Sequence, residues 1–482
     1  MWQLKVKVFC NIAICSNLLL DPLQEQLGSV VMESQSGFRK GRGTIDHLFT
    51  LQQVLHDSWE FDKPTHTCFI DLRKAYDTVN RPALWGVLQH IGISHKLQSL
   101  IKDLHTGTRS KVRAYGKSSD YFDVNQGVRQ GCIIAPALFN IFLDHVLRIA
   151  LSECEGGVKI KYKVDGEISV RTLVDPEEID EVILSLLYAD DMAIVCEDPR
   201  ALETIVKKLD EVLSLWGLEV SPEKTEIMSV DRFSSQVPPS VVLRGKQLKN
   251  VEQFKYLGTY FTATPKAKAV PKKHSSKKKT QKKKAKSPTK TSFLNVNLDN
   301  RITKASGSFY RYAAPLYRRK DIPLRHKIKV FRATALATLL YGSEIWAPSK
   351  DEIQRLESWQ NRCMRYMLGI YYSKHGHVAG AELRRRCKLQ RVEDLLRIRR
   401  LRWFGHAARM DTKRLPRKML TGQLGRKRPL GRTRTSWRKV IKDDLEAIEC
   451  DDYPTAVSDR KAWRKKIIGP YTAQEDVTPT RR

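Results

Sequence analysis

An α/β fold of the α+β kind, mixed in the first half of the chain and helical in the second, is predicted by three observations. Strand-length apolar runs alternate with segments of helical periodicity through residue 261. Between residues 262 and 292 there are twelve lysines, no acidic residue and almost nothing apolar, a composition that cannot bury enough surface to fold. From residue 294 onward the apolar spacing is helical, and Arg and Lys become dense.

The 482 residues leave room for several domains and a large core. A formal net charge of +33 exceeds what solubility needs and points to a polyanionic partner, nucleic acid before an anionic membrane surface. Nine scattered cysteines without a Cys-x-x-Cys pair argue for a reducing compartment and against a disulfide framework or zinc ribbon. His375, His377, Cys387 and His406 match no standard zinc spacing. The moderately apolar run behind Lys5 and Lys7 is interrupted by Asn11, Ser16 and Asn17, and Asp21-Pro22 follows without a cleavage site, which argues against a signal peptide. No segment approaches the roughly 20 apolar residues of a membrane span, so a soluble intracellular protein is expected.

Residues 18–60 read as mostly helical, with a break at Gln35-Ser36-Gly37-Phe38-Arg39-Lys40-Gly41-Arg42-Gly43-Thr44. This loop opens a helix whose Ile45, Leu48, Phe49, Leu51, Val54 and Leu55 recur at helical spacing. Backbone amides at a helix start beside Arg39, Lys40 and Arg42 suit a phosphate; a flexible surface turn is the plain alternative. Thr65-His66-Thr67-Cys68-Phe69-Ile70-Asp71 is a strand by residue type that ends in a carboxylate, costly to bury without a partner. Asn80-Arg81-Pro82 starts the next helix and Gly92 ends it.

In Asn125-Gln126-Gly127-Val128-Arg129-Gln130-Gly131-Cys132 the glycines let backbone approach a ligand, and Gln130 can both donate and accept. Read alone, it is an ordinary loop entering the buried helix of residues 133–151. Leu184-Ser185-Leu186-Leu187-Tyr188-Ala189-Asp190-Asp191-Met192-Ala193-Ile194-Val195-Cys196 predicts a buried hairpin with Asp190 and Asp191 at its tip. Adjacent aspartates repel, and a hard divalent ion such as Mg²⁺ would relieve them; an Asp-rich turn is the alternative. If Asp71 faces that tip, three carboxylates can hold two metal ions ~4 Å apart, the arrangement for in-line phosphoryl transfer.

Residues 199–216 form an amphipathic helix closed by Gly217, residues 218–220 and 225–230 are short strands, and residues 254–261 are a further strand or tight hairpin. The lysine-rich stretch is a disordered linker or insertion, able to bind nucleic acid nonspecifically or to act as a nuclear-import signal. Helices follow over residues 294–317, 324–341 and 352–368. Phe309-Tyr310-Arg311-Tyr312 and Arg362-Cys363-Met364-Arg365-Tyr366 interleave aromatic and basic groups, which suits base stacking and phosphate gripping as well as helix packing. The last hundred residues are dense in Arg and Lys, a surface whose affinity for phosphates would depend strongly on salt.

The order Gly37-Phe38-Arg39-Lys40-Gly41-Arg42-Gly43, Phe69-Ile70-Asp71-Leu72-Arg73-Lys74-Ala75-Tyr76-Asp77, Gly127-Val128-Arg129-Gln130-Gly131-Cys132, Tyr188-Ala189-Asp190-Asp191, Lys224-Thr225 and Tyr256-Leu257-Gly258 resembles the motif series of reverse transcriptases from non-LTR (LINE-type) retrotransposons. The resemblance covers roughly residues 20–262 and extends more loosely to Arg402-Trp403-Phe404-Gly405-His406. It implies a right-hand polymerase divided into fingers and palm (1–262), a disordered Lys-rich linker (263–292), a helical thumb-like region (293–375) and a basic helical C-terminal region (376–482).

The resemblance also implies roles. Asp71, Asp190 and Asp191 would be catalytic carboxylates holding two Mg²⁺ ions, with Mn²⁺ able to substitute. Tyr76 would be the steric gate against a ribose 2′-hydroxyl. Arg39 and Lys40 would contact the triphosphate, and Leu72, Ala75, Gln130 and Gly131 would line the nucleotide site. Lys224 would protonate pyrophosphate, and residues 254–258 would form the primer grip. The implied function is RNA-directed DNA polymerisation from a primer 3′-hydroxyl, with an RNA template, a DNA primer or target and dNTPs as partners, no membrane, and a ribonucleoprotein of nucleus and cytoplasm as the setting. Oligomeric state is not legible. The endonuclease that these elements usually encode upstream is not seen here, which makes an N-terminally truncated copy the expectation. An inactive or domesticated nucleic-acid-binding relic is the alternative. A two-metal nuclease would leave Tyr76, Gln130 and Lys224 without roles.

Overall fold

The computed structural model describes residues 16–25, 31–129, 131–162, 179–264, 295–424 and 436–472. Gln130 and nearly all of the lysine-rich stretch lie outside the described residues.

Strand β1 (Thr65–Ile70) is buried at every position because it is the centre of the main sheet. Around it lie β2 (Ser185–Tyr188), β3 (Asp191–Cys196), β4 (Glu226–Val230) and the short β5 (Lys249–Asn250), in the order β5-β4-β1-β3-β2. β1 runs antiparallel to β3, from His66↔Cys196 to Ile70↔Met192, and to β4, from Thr65↔Val230 to Phe69↔Glu226. The strand period of two divides the side chains between two cores. Phe69, Leu186, Ala193, Val195, Met228 and Val230 face one; Cys68, Ile70, Leu187, Met192, Ile194 and Ile227 face the other.

The second core is closed by α2 (Arg81–His90), α3 (His95–His105), α4 (Ala135–Leu151) and α5 (Pro199–Leu215). Local chemistry sets their ends: Asn80 accepts a hydrogen bond from the Ala83 amide ahead of Pro82, and Asp198 accepts from the Arg200 and Ala201 amides ahead of Pro199. The first core takes in α1 (Thr44–Glu60), the hairpin β6 (Gln253–Tyr256) and β7 (Thr259–Thr262), and the helices of the second half of the chain. Among those are α6 (Asn295–Arg311), α7 (Leu324–Phe331), α8 (Lys350–Leu368), α9 (Val392–Ala408), α10 (Leu415–Thr421), α11 (Trp437–Glu446) and α12 (Arg460–Thr472). α8 starts with a reciprocal capping box between Ser349 and Glu352 and ends at Gly369, φ 67°.

Several expectations change, among them the helix over 324–341, which is interrupted by a π-helical turn at Arg332–Leu336. The helix over 294–317 gives way to a π-helical turn at Ala313–Tyr317, where Pro315 cannot donate an amide. Residues 218–220 form no strand beyond a single bridge, Leu72↔Val220. Among the described residues, five of the C-terminal arginines are engaged by carboxylates of the protein itself: Arg397 and Arg400 by Asp444, Arg399 by Glu344, Arg414 by Asp46 and Glu33, Arg438 by Asp57. Arg414 and Arg438 meet Asp46 and Asp57 of α1, where burial makes an internal carboxylate the nearer partner than a phosphate. Among the described residues, no helix is long and apolar enough to cross a membrane.

Candidate active site

β1 and β3 remain in register up to Ile70↔Met192, so one further step sets Asp71 across from Asp191, the first residue of β3. Asp190 occupies the two-residue turn, since Tyr188 pairs with Asp191. Burial, then the Asp190 and Asp71 charges, push the Asp191 carboxyl up to about 6. Asp190 is also raised, by burial first and by Asp71 among its other causes. As a set, the oxygens of Asp71, Asp190 and Asp191 do not close to within 4.8 Å of one another, whereas among the described residues His56, Asp57 and Glu60 do. That second group is no free ligand set, because Arg438 already neutralises Asp57.

The loop after β1 is held by backbone bonds. The Ser221 amide donates to the Asp71 carbonyl (2.8 Å), the Arg73 amide donates to the Glu219 carbonyl (2.8 Å), and the Thr225 hydroxyl accepts from the Asp71 amide (3.3 Å). This pairing carries Lys224 to the site, with Nζ 3.2 Å from Asp71 Oδ2.

Gln35, which sequence reasoning passed over, braces the aspartate turn. Its buried Oε1 accepts from the Ala189 amide (3.0 Å) and the Gly37 amide (2.8 Å), while Nε2 donates to the Ala189 carbonyl (3.4 Å). Those bonds hold Ala189 at φ 56°, unusual for a residue with a side chain. A Cβ on Gly37 would lie 2.3 Å from the Ala189 nitrogen, so only glycine permits this approach. Asn140 completes the brace, its Nδ2 donating to the Gly37 carbonyl (2.5 Å). The available signal was a buried amide at an otherwise apolar helix position, Asn140 of α4.

Tyr76 stacks on Phe139 with centroids 4.5 Å apart. Its phenol is pushed above the usual range by burial and by Asp190 and Asp191, which places it beside the pair. The Val128 amide donates to the Tyr76 carbonyl (2.8 Å), tying in the glycine-rich loop. Gly131 is exposed at φ 83°. Leu72 and Ala75 are packed into the core. The half-buried Arg39 donates to the Met32 and Gln35 carbonyls (2.8 and 3.0 Å), and burial followed by Arg42 brings it down to about 10. Lys40 is exposed. Arg39 and Lys40 line a cavity of about 510 Å³ together with Phe38, Arg42, Asn140 and Arg414. Arg42 itself is engaged by Glu33.

The β6–β7 hairpin docks on the same sheet end. Phe254 stacks on Phe69 (centroids 4.0 Å), and the Tyr256 hydroxyl donates to the Leu186 carbonyl (3.3 Å). Its turn, Leu257-Gly258, is latched by the Tyr341 hydroxyl on the Leu257 carbonyl (2.9 Å) and by Arg301 on the Gly258 carbonyl. Among the described residues His375, His377, Cys387 and His406 gather no metal-ligand group.

Residues 10–261 match the family model described as Reverse transcriptase (RNA-dependent DNA polymerase). A similar protein is the Retrovirus-related Pol polyprotein from type-2 retrotransposable element R2DM of Drosophila melanogaster, 24% identical over 49% of this chain and 21% of that protein. Another is the RNA-directed DNA polymerase from mobile element jockey of Drosophila funebris, 23% identical over 72% of this chain and 33% of that protein. The chain therefore spans a third or less of the length of these relatives. Among solved structures, apo telomerase from Candida Tropicalis aligns with a TM-score of 0.38 and 12% identity, over 86% of this chain and 61% of that one.

Proposed function

The chain belongs to the reverse transcriptase (RNA-dependent DNA polymerase) family, and from that premise we propose that it is the polymerase part of a LINE-type retrotransposon protein, adding dNTPs to a primer 3′-hydroxyl on an RNA template. The observation that carries the reading is the antiparallel register that sets Asp71 against the Asp190-Asp191 turn. Its five-stranded sheet would be the palm, residues 293–375 the thumb and 376–482 a basic C-terminal region. The template, the DNA primer or target and a ribonucleoprotein setting in nucleus and cytoplasm belong to the same proposal.

The donor set fits divalent ions: three hard carboxylates, two of them raised by burial and mutual repulsion. Asp71, Asp190 and Asp191 would hold two Mg²⁺, with Mn²⁺ able to substitute. Bound there, the ions supply charge neutralisation for a triphosphate and a lower pKa for the primer hydroxyl. The Tyr76 ring, fixed on Phe139, fills the space beside the carboxylates and excludes a 2′-hydroxyl. The Lys224 ammonium, beside Asp71, gives a proton to the departing pyrophosphate oxygen. Arg39 and Lys40 bind the triphosphate. Gln130 and Gly131 line the nucleotide, and Leu72 and Ala75, being buried, act through backbone. The β6–β7 hairpin positions the primer end.

Primer extension on poly(rA)/oligo(dT) tests this, comparing wild type with Asp190→Ala plus Asp191→Ala. Metal-dependent incorporation by wild type and background by the variant is expected. Equal incorporation in both overturns the enzyme reading and leaves the nucleic-acid-binding relic.

A further inference from the structure

Residues 109–123 form a two-stranded ribbon that stands off the body of the protein. Arg109–Ser110 pairs with Phe122–Asp123, and Arg113–Ala114 pairs with Lys117–Ser118. Between the two ladders the register shifts by one residue at Val112, bonded both ways to Ser119. Every residue from 109 to 123 is exposed.

Such a ribbon ordinarily carries polar side chains, because nothing rewards an apolar group left in water. This one carries Tyr121 and Phe122, exposed by 59% and 50%, and Tyr115, fully exposed at its tip. Tyr115 also holds φ 49°, ahead of Gly116 at φ 77°. A left-handed turn favours Asn, Asp or Gly at that position, and an aromatic ring there is strained without any packing to compensate. Basic groups interleave with the rings: Lys111 lies 5.2 Å from the Tyr121 ring centre, with Arg113 and Lys117 toward the tip. Arg109 is the exception, paired with Asp123 at 3.1 Å.

The base of the ribbon is built into the nucleotide site. The Val124 amide donates to the Thr108 carbonyl (2.8 Å), and Arg81 reaches the His105 carbonyl (2.8 Å), the Thr108 hydroxyl (3.1 Å) and the Gly127 carbonyl (2.9 Å). A Cβ on Gly127 would lie 2.6 Å from the Asp77 carbonyl oxygen, and Val128 is bonded to Tyr76. The ribbon therefore projects from the loop that carries Gly131, which is bonded to the neighbouring loop that carries Tyr76.

We propose that the ribbon of residues 109–123 binds single-stranded nucleic acid, stacking bases on Tyr115, Tyr121 and Phe122 while Lys111, Arg113 and Lys117 neutralise phosphates. Rings accept any base and cations any phosphate, so the surface is sequence-tolerant. Rigid docking in a duplex groove would leave the rings without a face to stack on. The proposal leans on the polymerase reading only for the position of the ribbon beside the nucleotide site.

Fluorescence anisotropy with labelled rU and dT oligonucleotides and a matched duplex, without dNTPs, tests it on the full chain. Tyr115→Ala plus Tyr121→Ala should weaken single-strand binding roughly tenfold or more and duplex binding little. Lys111→Ala plus Arg113→Ala plus Lys117→Ala should flatten the logarithmic salt dependence by ~0.7 for each phosphate that is no longer neutralised. The substituted side chains are exposed, so melting temperatures should not move. Unchanged single-strand affinity in both variants overturns the proposal, including the outcome that the ribbon docks a protein. Equal weakening on single strand and duplex overturns the stacking. Binding retained by the Asp190→Ala plus Asp191→Ala protein keeps this test separate from that of the polymerase reading.

Discussion

The Arg438 guanidinium lies 3.0 Å from the Asp57 carboxylate, with both side chains buried, so a cation of α11 neutralises an acid on α1. The same guanidinium donates to the carbonyls of Met419, Leu420 and Gly422, which saturates it. Next to it, Trp437 packs edge-on to Phe49 at 4.7 Å and its indole donates to the Glu344 carbonyl (2.9 Å). The C-terminal region is thus built into the core that supports the sheet.

Breaking that pair leaves a bare buried carboxylate, which costs far more than the pair contributes. Arg438→Met should destabilise the full chain by about 3–5 kcal/mol in urea denaturation. Adding Asp57→Asn should recover part of the loss. A change below about 1 kcal/mol for the single variant would show that the pair is dispensable.

Gln35 links the basic loop to the aspartate turn through two bonds to Ala189, with a third to Gly37 in its own loop. Gln35→Ala should cost about 1–3 kcal/mol through unpaired buried amides. It should also lower dNTP incorporation beyond what the unfolded fraction explains, because the turn loses its anchor. Incorporation that tracks the folded fraction alone would remove Gln35 from positioning the turn.

Tyr76 is held on Phe139 and beside Asp190 and Asp191. Tyr76→Val should raise ribonucleotide over deoxyribonucleotide incorporation by about 10- to 100-fold, the scale of discrimination a shaped pocket provides. An unaltered rNTP/dNTP ratio would take the gate away from this residue.

His47 is fully buried in α1 and meets Tyr188 edge-on at 6.1 Å. Burial, aided by Arg42, brings its imidazole from 6.5 down to about 3. The unfolded chain therefore takes up a proton below pH 6.5 that the folded chain refuses. This contribution to stability is complete above 6.5 and is lost progressively as pH falls from 6.5 toward 3. Wild type should lose on the order of 1–2 kcal/mol between pH 7 and pH 5 through this group, and His47→Gln should show a flatter profile. Parallel pH profiles for the two would refute the assignment.

Local signals carried much of the fold. Pro82 behind Asn80 announced a helix start, the amphipathic pattern before Gly217 announced a second helix, and the apolar runs around Asp190-Asp191 announced the hairpin, because each cause lies within a few residues of its effect. The motif order likewise identified the family that the match over residues 10–261 establishes. The arginines after residue 390 were harder to read. Composition shows that cations are present, but not that Arg438 has a buried acid 381 positions away.

By itself the sequence determined most of the alternation of segments, the helix starts marked by a cap and a proline, and which carboxylates end up at strand ends. Only the tertiary structure decided who meets whom. Gln35 reaches Ala189 across 154 positions and Lys224 reaches Asp71 across 153. Periodicity reports that a residue has a buried face; the partner on that face is chosen by packing of the whole chain, in which burial makes an unpaired polar group costly and so selects the one neighbour able to satisfy it.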